Sequence, residues 1–429
     1  MEEYGIEQDK TGRLVYYDNV ENLSVALPRA MELVDFAYLR EPAAPNFDEM
    51  AVESFANPLG TPLLREIAKG RSNVTILVSD ATRAVATARV LPFIVREIEL
   101  AGVSLSRVKI IVAIGVHREA TPAEMREIAG DYHGRIHVEN HDPYSGEKLA
   151  VLGRTSYGNC AEVNKTVQES DLRICVGKVE AHEFAGFSGG RKSVLPGIAS
   201  EACIAYNHRP EMILDPRATA GVLEGNPIHL DMLETARMLG IDFCVSLVQN
   251  ASGQPIGVFT GDLEQSHLAG VRFLRGIFGM EIKKTASIYL VTPGYPLNID
   301  LYQSLKALIA MMPIAKDGDT IVFYSKCTEG TNSEDMIVPF RQETSLDGIL
   351  KYTVANYRIQ MDHALLLCKL YQKGVNIVAC SPGVSDDVLA TMKMTPARDL
   401  DHAMNIACTR HGDKPRITII PMPQRLVLG

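Results

Sequence analysis

The eight cysteines form no C-x-x-C pair, which excludes a cysteine-built zinc site, and their scatter fits reduced thiols rather than a disulfide framework. No apolar run is long enough for a membrane span. The opening M-E-E-Y-G-I-E-Q-D-K is acidic and lacks the apolar region of a secretory signal. With a net charge of -9 and a pI near 5.7 there is no basic surplus for nucleic acid or an anionic membrane. No G-x-G-x-x-G follows a strand-like run, so a conventional dinucleotide site is not indicated. Repeats and low-complexity segments are missing too. What remains is an ordinary composition, 46% hydrophobic and 22% charged over 429 residues. That predicts a cytoplasmic enzyme of more than one domain.

The richest stretch runs from Lys178 to Pro210: K-V-E-A-H-E-F-A-G-F-S-G-G-R-K-S-V-L-P-G-I-A-S-E-A-C-I-A-Y-N-H-R-P. Gly186, Gly189 and Gly190 let the backbone turn tightly and come close to a ligand. A phosphate-cradling G-x-x-x-x-G-K-[ST] loop needs a glycine just before its lysine, and Arg191 stands there instead. His182-Glu183 begins like H-E-x-x-H, but Gly186 occupies the second histidine's place. The stretch therefore offers Lys192 on a glycine-rich loop, with His182 before it and His208 after it. A plain glycine turn flanked by ordinary histidines is the bland alternative.

Two buried-strand runs precede it, Val74 to Val78 and Val108 to Ile114. Each ends in a polar cluster, Ser79-Asp80-Ala81-Thr82-Arg83 and Gly115-Val116-His117-Arg118. Strand carboxyl ends are where α/β sheets bind ligands. Helix capping accounts for Asp80 but not for Arg83 close behind it. His133, His137 and His141 are four apart, yet Gly134 and Pro143 make their segment strand and turn rather than a metal-binding helix face. A further strand, Asp171 to Gly177, leads into the lysine loop, and Phe243 to Val248 with Gln254 to Phe259 reads as a hairpin. A second α/β unit opens at Ser287 to Val291. Behind it, Gln303 and Lys306 share one face near a helix N-terminus, a place that favours an anion.

The expected class is α/β, with two α/β domains of mostly parallel sheets. An N-terminal catalytic and cofactor-tethering domain spans 1–265, with the final segment 414–429 rejoining it. Linker helices at 266–284 and 397–413 flank a smaller C-terminal domain, 285–396.

Taken together, S-D-A-T-R, G-V-H-R, H-E-F-A-G-F-S-G-G-R-K-S-V-L-P-G, Y-N-H-R-P and Y-P-L-N-I-D-L-Y-Q-S-L-K resemble the nickel-dependent lactate racemase family, in family order from Ser79 to Lys306. The resemblance implies a nickel pincer nucleotide and a 2-hydroxy acid substrate in an interdomain cleft. Lys192 is similar to the lysine that carries the cofactor covalently, and His208 to the histidine that completes planar nickel coordination. His117 and His182 resemble the family's two acid/base histidines, with Asp80 orienting a histidine. Arg83, Gln303 and Lys306 would hold the substrate carboxylate and a neighbouring phosphate, while Tyr302, Gly189 and Gly190 would line the cofactor. The implied reaction removes hydride from the substrate and returns it through a 2-oxo acid. Separate maturation proteins would make the cofactor, and the resemblance leaves a homo-oligomer open.

The family's lactate enzymes share a tryptophan near the substrate, and this chain has none. A larger or dicarboxylic 2-hydroxy acid such as malate is thus an alternative to lactate, with Tyr357 or Arg358 contacting its side chain. A nickel- or nucleotide-binding protein without catalysis is the rival from another class. It would need His208 and Lys192 but neither His117 nor His182.

Overall fold

A β-branched run with no polar alternation can be stable only if both of its faces are covered. In the computed structural model Val74–Ser79 is such a strand, with Val74, Ile76, Leu77 and Val78 fully buried. The structure describes residues 3–38, 42–282 and 286–429. It divides into two units, the first comprising Glu41–Arg209 and Val222–Ile277, the second Met1–Arg40, Pro210–Gly221 and Phe278–Gly429. Among the described residues no helix is long and apolar enough to cross a membrane.

The first unit holds a six-stranded sheet. From one edge to the other its strands are Pro255–Gly261, Phe243–Gln249, Leu172–Lys178, Val74–Ser79, Val108–Ala113 and His137–Asn140. All neighbours are parallel except the edge pair Phe243–Gln249 and Pro255–Gly261, which is the hairpin expected from the sequence. From Val74–Ser79 the chain builds outward on one side and then on the other. The crevice between that strand and Leu172–Lys178 is therefore a topological switch point, where carboxyl ends diverge and leave room for a ligand. The amphipathic helix Thr87–Leu100 covers one face, burying Val90, Leu91, Ile94 and Ile98 against Ile76, Val78, Ile110 and Val112. Each such side chain contributes about 1.5–3 kcal/mol when fully removed from water.

The second unit contains another six-stranded sheet, all parallel: Thr395–Pro396, Asn376–Cys380, Thr320–Tyr324, Ile288–Thr292, Arg416–Pro421 and Glu32–Phe36. Two expectations are corrected here. The C-terminal strand does not rejoin the first unit. Arg416–Pro421 runs between Ile288–Thr292 and Glu32–Phe36, so the N-terminal segment crosses into this unit instead. Its apolar run R-I-T-I-I-P needs a parallel neighbour on each side, and the β-rich opening of the chain supplies one of them. Nor is Leu400–His411 a linker. Leu400, Ala403, Met404 and Ala407 pack on Ile288, Val322, Val378 and Ile417, so the helix is a cover for the sheet. A small antiparallel sheet of Tyr4–Gln8, Leu14–Asp18 and Leu23–Ala26 adds Tyr4, Tyr16 and Val25 to the same core.

Candidate active site

The switch-point strand ends at Ser79, and Asp80 caps the short turn Ala81–Arg83 by accepting from the Thr82 backbone N–H at 2.8 Å and from the Thr82 hydroxyl. Its other oxygen faces His117 Nδ1 at 3.1 Å. Burial pushes the Asp80 carboxyl up, but hydrogen bonds from His117 and Thr82, with the charges of His117 and Arg83, outweigh it and hold the group below its ordinary value. A carboxylate at Nδ1 fixes the N–H on that nitrogen, which leaves Nε2 as proton acceptor. Arg83 Nη2 donates to that Nε2 at 3.2 Å. The polar clusters at two strand ends thus form one Asp80–His117–Arg83 chain.

The neighbouring central strand delivers the lysine loop. Gly189 and Gly190 both have positive φ, 79° and 54°. A Cβ on Gly189 would meet the Lys178 carbonyl oxygen at 2.9 Å, and one on Gly190 would meet His267 Cβ at 3.2 Å. Bare backbone is therefore required at both positions. Lys192 Nζ lies 2.9 Å from His182 Nε2. Burial first, then the charges of Arg83 and Arg191, bring the Lys192 amine down from 10.5 to about 7. The charge of Arg83 thus reaches Lys192, so the two polar chains share one neighbourhood. An amine with about half of its population unprotonated near pH 7 is a competent nucleophile. In apoprotein, Lys192 is expected to acetylate with limiting acetic anhydride along a curve half-complete near pH 7. Competitive labelling read by peptide mass spectrometry checks this, and a midpoint near 10 would contradict it.

His208 follows the helix Glu201–Asn207 and is buried, its Nδ1 against the Ile204 carbonyl at 3.1 Å. That carbonyl accepts from Nδ1–H, which leaves the ring's lone pair on Nε2. Phe184 links the histidines, its ring edge-on to His182 at 4.7 Å and to His208 at 5.1 Å, with Lys192 Nζ 5.9 Å from its centroid.

Two residues of this site were not legible beforehand. Phe184 sat inside a quoted motif without a role. Arg191 was noticed only as the residue that spoils a P-loop. It is 1% exposed and staples the loop, donating to the carbonyls of Ala185 and Phe187 at 2.9 Å and of Gly189 at 3.3 Å. Burial lowers its guanidinium to about 9. An arginine in so apolar a run, followed by no acidic residue until Glu201, was the available signal. The structure also packs His141 as a core residue, with Nε2 3.0 Å from the Ala199 carbonyl.

Tyr302, Gln303 and Lys306 lie in the second unit on the helix Leu301–Ala310, capped by Asp300, which accepts from the Gln303 N–H at 2.7 Å. All three are half-buried. The Tyr302 ring lies against His363, tilted by 36° with centroids 4.0 Å apart. Arg358 already pairs with Asp335 at 3.3 Å, and the Tyr357 hydroxyl is buried without a hydrogen-bond partner among the described residues. Neither arrangement singles out a second carboxylate on the substrate.

Comparison with known proteins decides the family. The lactate racemase N-terminal domain matches residues 21–221, and the lactate racemase C-terminal domain matches residues 282–426. The chain belongs to the lactate racemase family. It is thus an isomerase of the racemase class. The lactate racemase of Thermoanaerobacterium thermosaccharolyticum is 34% identical over 384 residues, covering 87% of this chain and 88% of that protein. The lactate racemase of Lactiplantibacillus plantarum is 31% identical over 381 residues, with 87% and 89% covered. The structure of the lactate racemase apoprotein from the first organism superimposes with a TM-score of 0.87 at 31% identity, covering 95% of this chain and 97% of that one. A Thermotoga maritima protein at 15% identity, with a TM-score of 0.65, shares the fold alone.

Proposed function

We propose that this lactate racemase family member interconverts the enantiomers of a 2-hydroxy acid with a nickel pincer nucleotide held through Lys192. The observation that carries the proposal is the Lys192 amine set 2.9 Å from His182 on a tight glycine loop, where burial disfavours its charged form. The residues present fit that group. A nucleophilic amine suits a covalent tether, and a histidine with Nδ1 occupied suits nickel at Nε2, a donor that this metal accepts well. Gly189 and Gly190 let the lysine loop pack tightly against the Lys178 carbonyl and His267, which holds Lys192 in place. When bound, the cofactor supplies the hydride acceptor.

The chain's own residues supply the rest. The α-proton beside a carboxylate is weakly acidic, so proton abstraction there is slow. Taking the hydroxyl proton while hydride leaves avoids that step. His117 Nε2 is the base for one enantiomer, and Asp80 stabilises the imidazolium that forms, as a carboxylate does in other histidine dyads. His182 plays the same part for the mirror image. The histidine that takes the hydroxyl proton stays protonated while the 2-oxo acid is present. The opposite histidine, protonated beforehand, supplies the proton of the rebuilt hydroxyl, and exchange with water resets the pair. Arg83, Gln303 and Lys306 bind the carboxylate, which stays charged throughout, so they position the substrate rather than activate it. Cytoplasmic location and loading by maturation proteins belong to the same proposal.

The test is intact mass spectrometry of protein made alongside the cofactor-maturation machinery, followed by a racemisation screen across 2-hydroxy acids. An adduct mapping to Lys192, together with loss of optical rotation for at least one acid, is expected. An adduct without any racemisation would favour the carrier alternative.

A further inference from the structure

Outside that site, the second unit buries a carboxyl that the proposed chemistry does not use. Glu21 is fully buried, and neither of its side-chain oxygens completes a hydrogen bond among the described residues. The polar groups that face it come from several elements. Asp18, also fully buried, ends the strand Leu14–Asp18 and accepts from the Glu21 backbone N–H at 2.9 Å. Lys326, beyond the strand Thr320–Tyr324, brings its ammonium only to 3.9 Å. Asn298 approaches from the turn Leu297–Ile299. Tyr4 and Tyr324 feel the Glu21 charge and are held as phenols by burial first and by these acids second. One half-distant ammonium is poor compensation for two buried acids, since a carboxylate without close partners is costly away from water.

The position matters because of what rests on that turn. Asp18 accepts from the Thr292 hydroxyl at 3.1 Å, at the carboxyl end of Ile288–Thr292. The Tyr4 hydroxyl borders Gly294, where a Cβ would meet it at 3.0 Å. Asn298 is fixed by its own carbonyl, which accepts from the Cys327 N–H at 2.9 Å, and Ser304 Oγ donates to the Leu297 carbonyl at 2.9 Å. Asp300 then caps the helix that carries Gln303 and Lys306. Asn298, which faces Glu21, thus belongs to the turn that leads directly into the helix carrying those two side chains.

We infer that Glu21 is a positioning residue: a buried carboxyl beneath the Leu297–Ile299 turn whose proton sets how firmly the start of the Gln303- and Lys306-bearing helix is held. The inference rests on the proposed role of those two residues in binding the substrate carboxylate. Burial chiefly, with Asp18 adding, raises the carboxyl from 4.5 to about 7, against the pull of Asn298 and Lys326. The folded turn therefore binds this proton more tightly than an opened one does. Its hold is strongest below pH 4.5, weakens as pH rises to about 7, and changes no further above that.

Hydrogen exchange of the full-length, cofactor-loaded chain tests this at pH 5 and pH 8, corrected for intrinsic rates. Protection of segment 297–306 is expected to fall about tenfold or more between the two, and Glu21→Gln should remove that difference. The KM for the racemised acid should rise over the same pH interval, and the variant should flatten the KM profile while keeping the wild-type pH dependence of kcat that the two histidines impose. An equal pH response in wild type and Glu21→Gln, or none in either, overturns the inference. Should the variant fail to fold, Lys326→Met serves, because losing the ammonium must move the exchange transition to higher pH, and an unmoved transition overturns the inference. A pH-dependent exchange transition lost in Glu21→Gln beside a flat wild-type KM would uphold the role of Glu21 and refute the assignment of Gln303 and Lys306.

Discussion

Lys192→Ala protein, produced with the maturation machinery, is expected to show the mass of the bare chain and to racemise its substrate at least about a thousandfold more slowly than wild type. The size of the loss follows from the two things the side chain does at once. Its amine is the proposed point of attachment on the glycine loop, and its position 2.9 Å from His182 fixes that imidazole. Lys192→Arg separates the two. A guanidinium keeps a donor toward His182 but stays protonated and does not form an acyl bond. It should therefore lack the adduct as fully as the alanine variant does. An adduct on the arginine variant, or wild-type turnover by either, would show that the cofactor is anchored elsewhere. Folding is separable, because circular dichroism should show little change from removal of a partly buried lysine on a loop whose shape is set by Arg191.

Much of this was legible in the sequence because the signals were local. The run V-T-I-L-V has one stable environment, a strand covered on both faces, and polar residues just beyond its end fall at the sheet's carboxyl edge whatever the rest of the chain does. Asp80, Arg83 and His117 could be placed that way, although the contact of His117 with both of the others is a product of register between Val74–Ser79 and Val108–Ala113. The route of the chain between the units was not legible. Glu32–Phe36 and Arg416–Pro421 lie at opposite ends of the sequence, and nothing in either run says that it pairs with the other rather than with the first sheet. For the same reason Glu21 gave no signal. An acid in a polar turn reads as solvated, and only the docking of the N-terminal segment against Asn298 and Lys326 buries it. Arg191 was hidden differently: its partners are backbone carbonyls, which carry no residue-type signature.

His117→Ala and His182→Ala are each expected to lower racemisation by about a hundredfold to ten-thousandfold, the usual weight of a positioned acid or base. A single loss must harm both directions equally. Enantiomers have an equilibrium constant of one, so kcat/KM for the two mirror images has to fall by the same factor, even though each histidine serves only one of them. Steady-state rates alone therefore cannot tell which histidine faces which substrate. Single-turnover quenching can. The variant that lacks the base for one enantiomer should form 2-oxo acid from the other at near wild-type speed, in an amount no greater than the cofactor present, and form none from the first. The two variants should show opposite preferences. Asp80 and its hydrogen bond to His117 Nδ1 predict that Asp80→Asn copies the His117 pattern in weaker form, since it disturbs the tautomer without removing the base. If both alanine variants release 2-oxo acid equally from either enantiomer, the two imidazoles do not stand on opposite sides of the substrate, and one of them has another task.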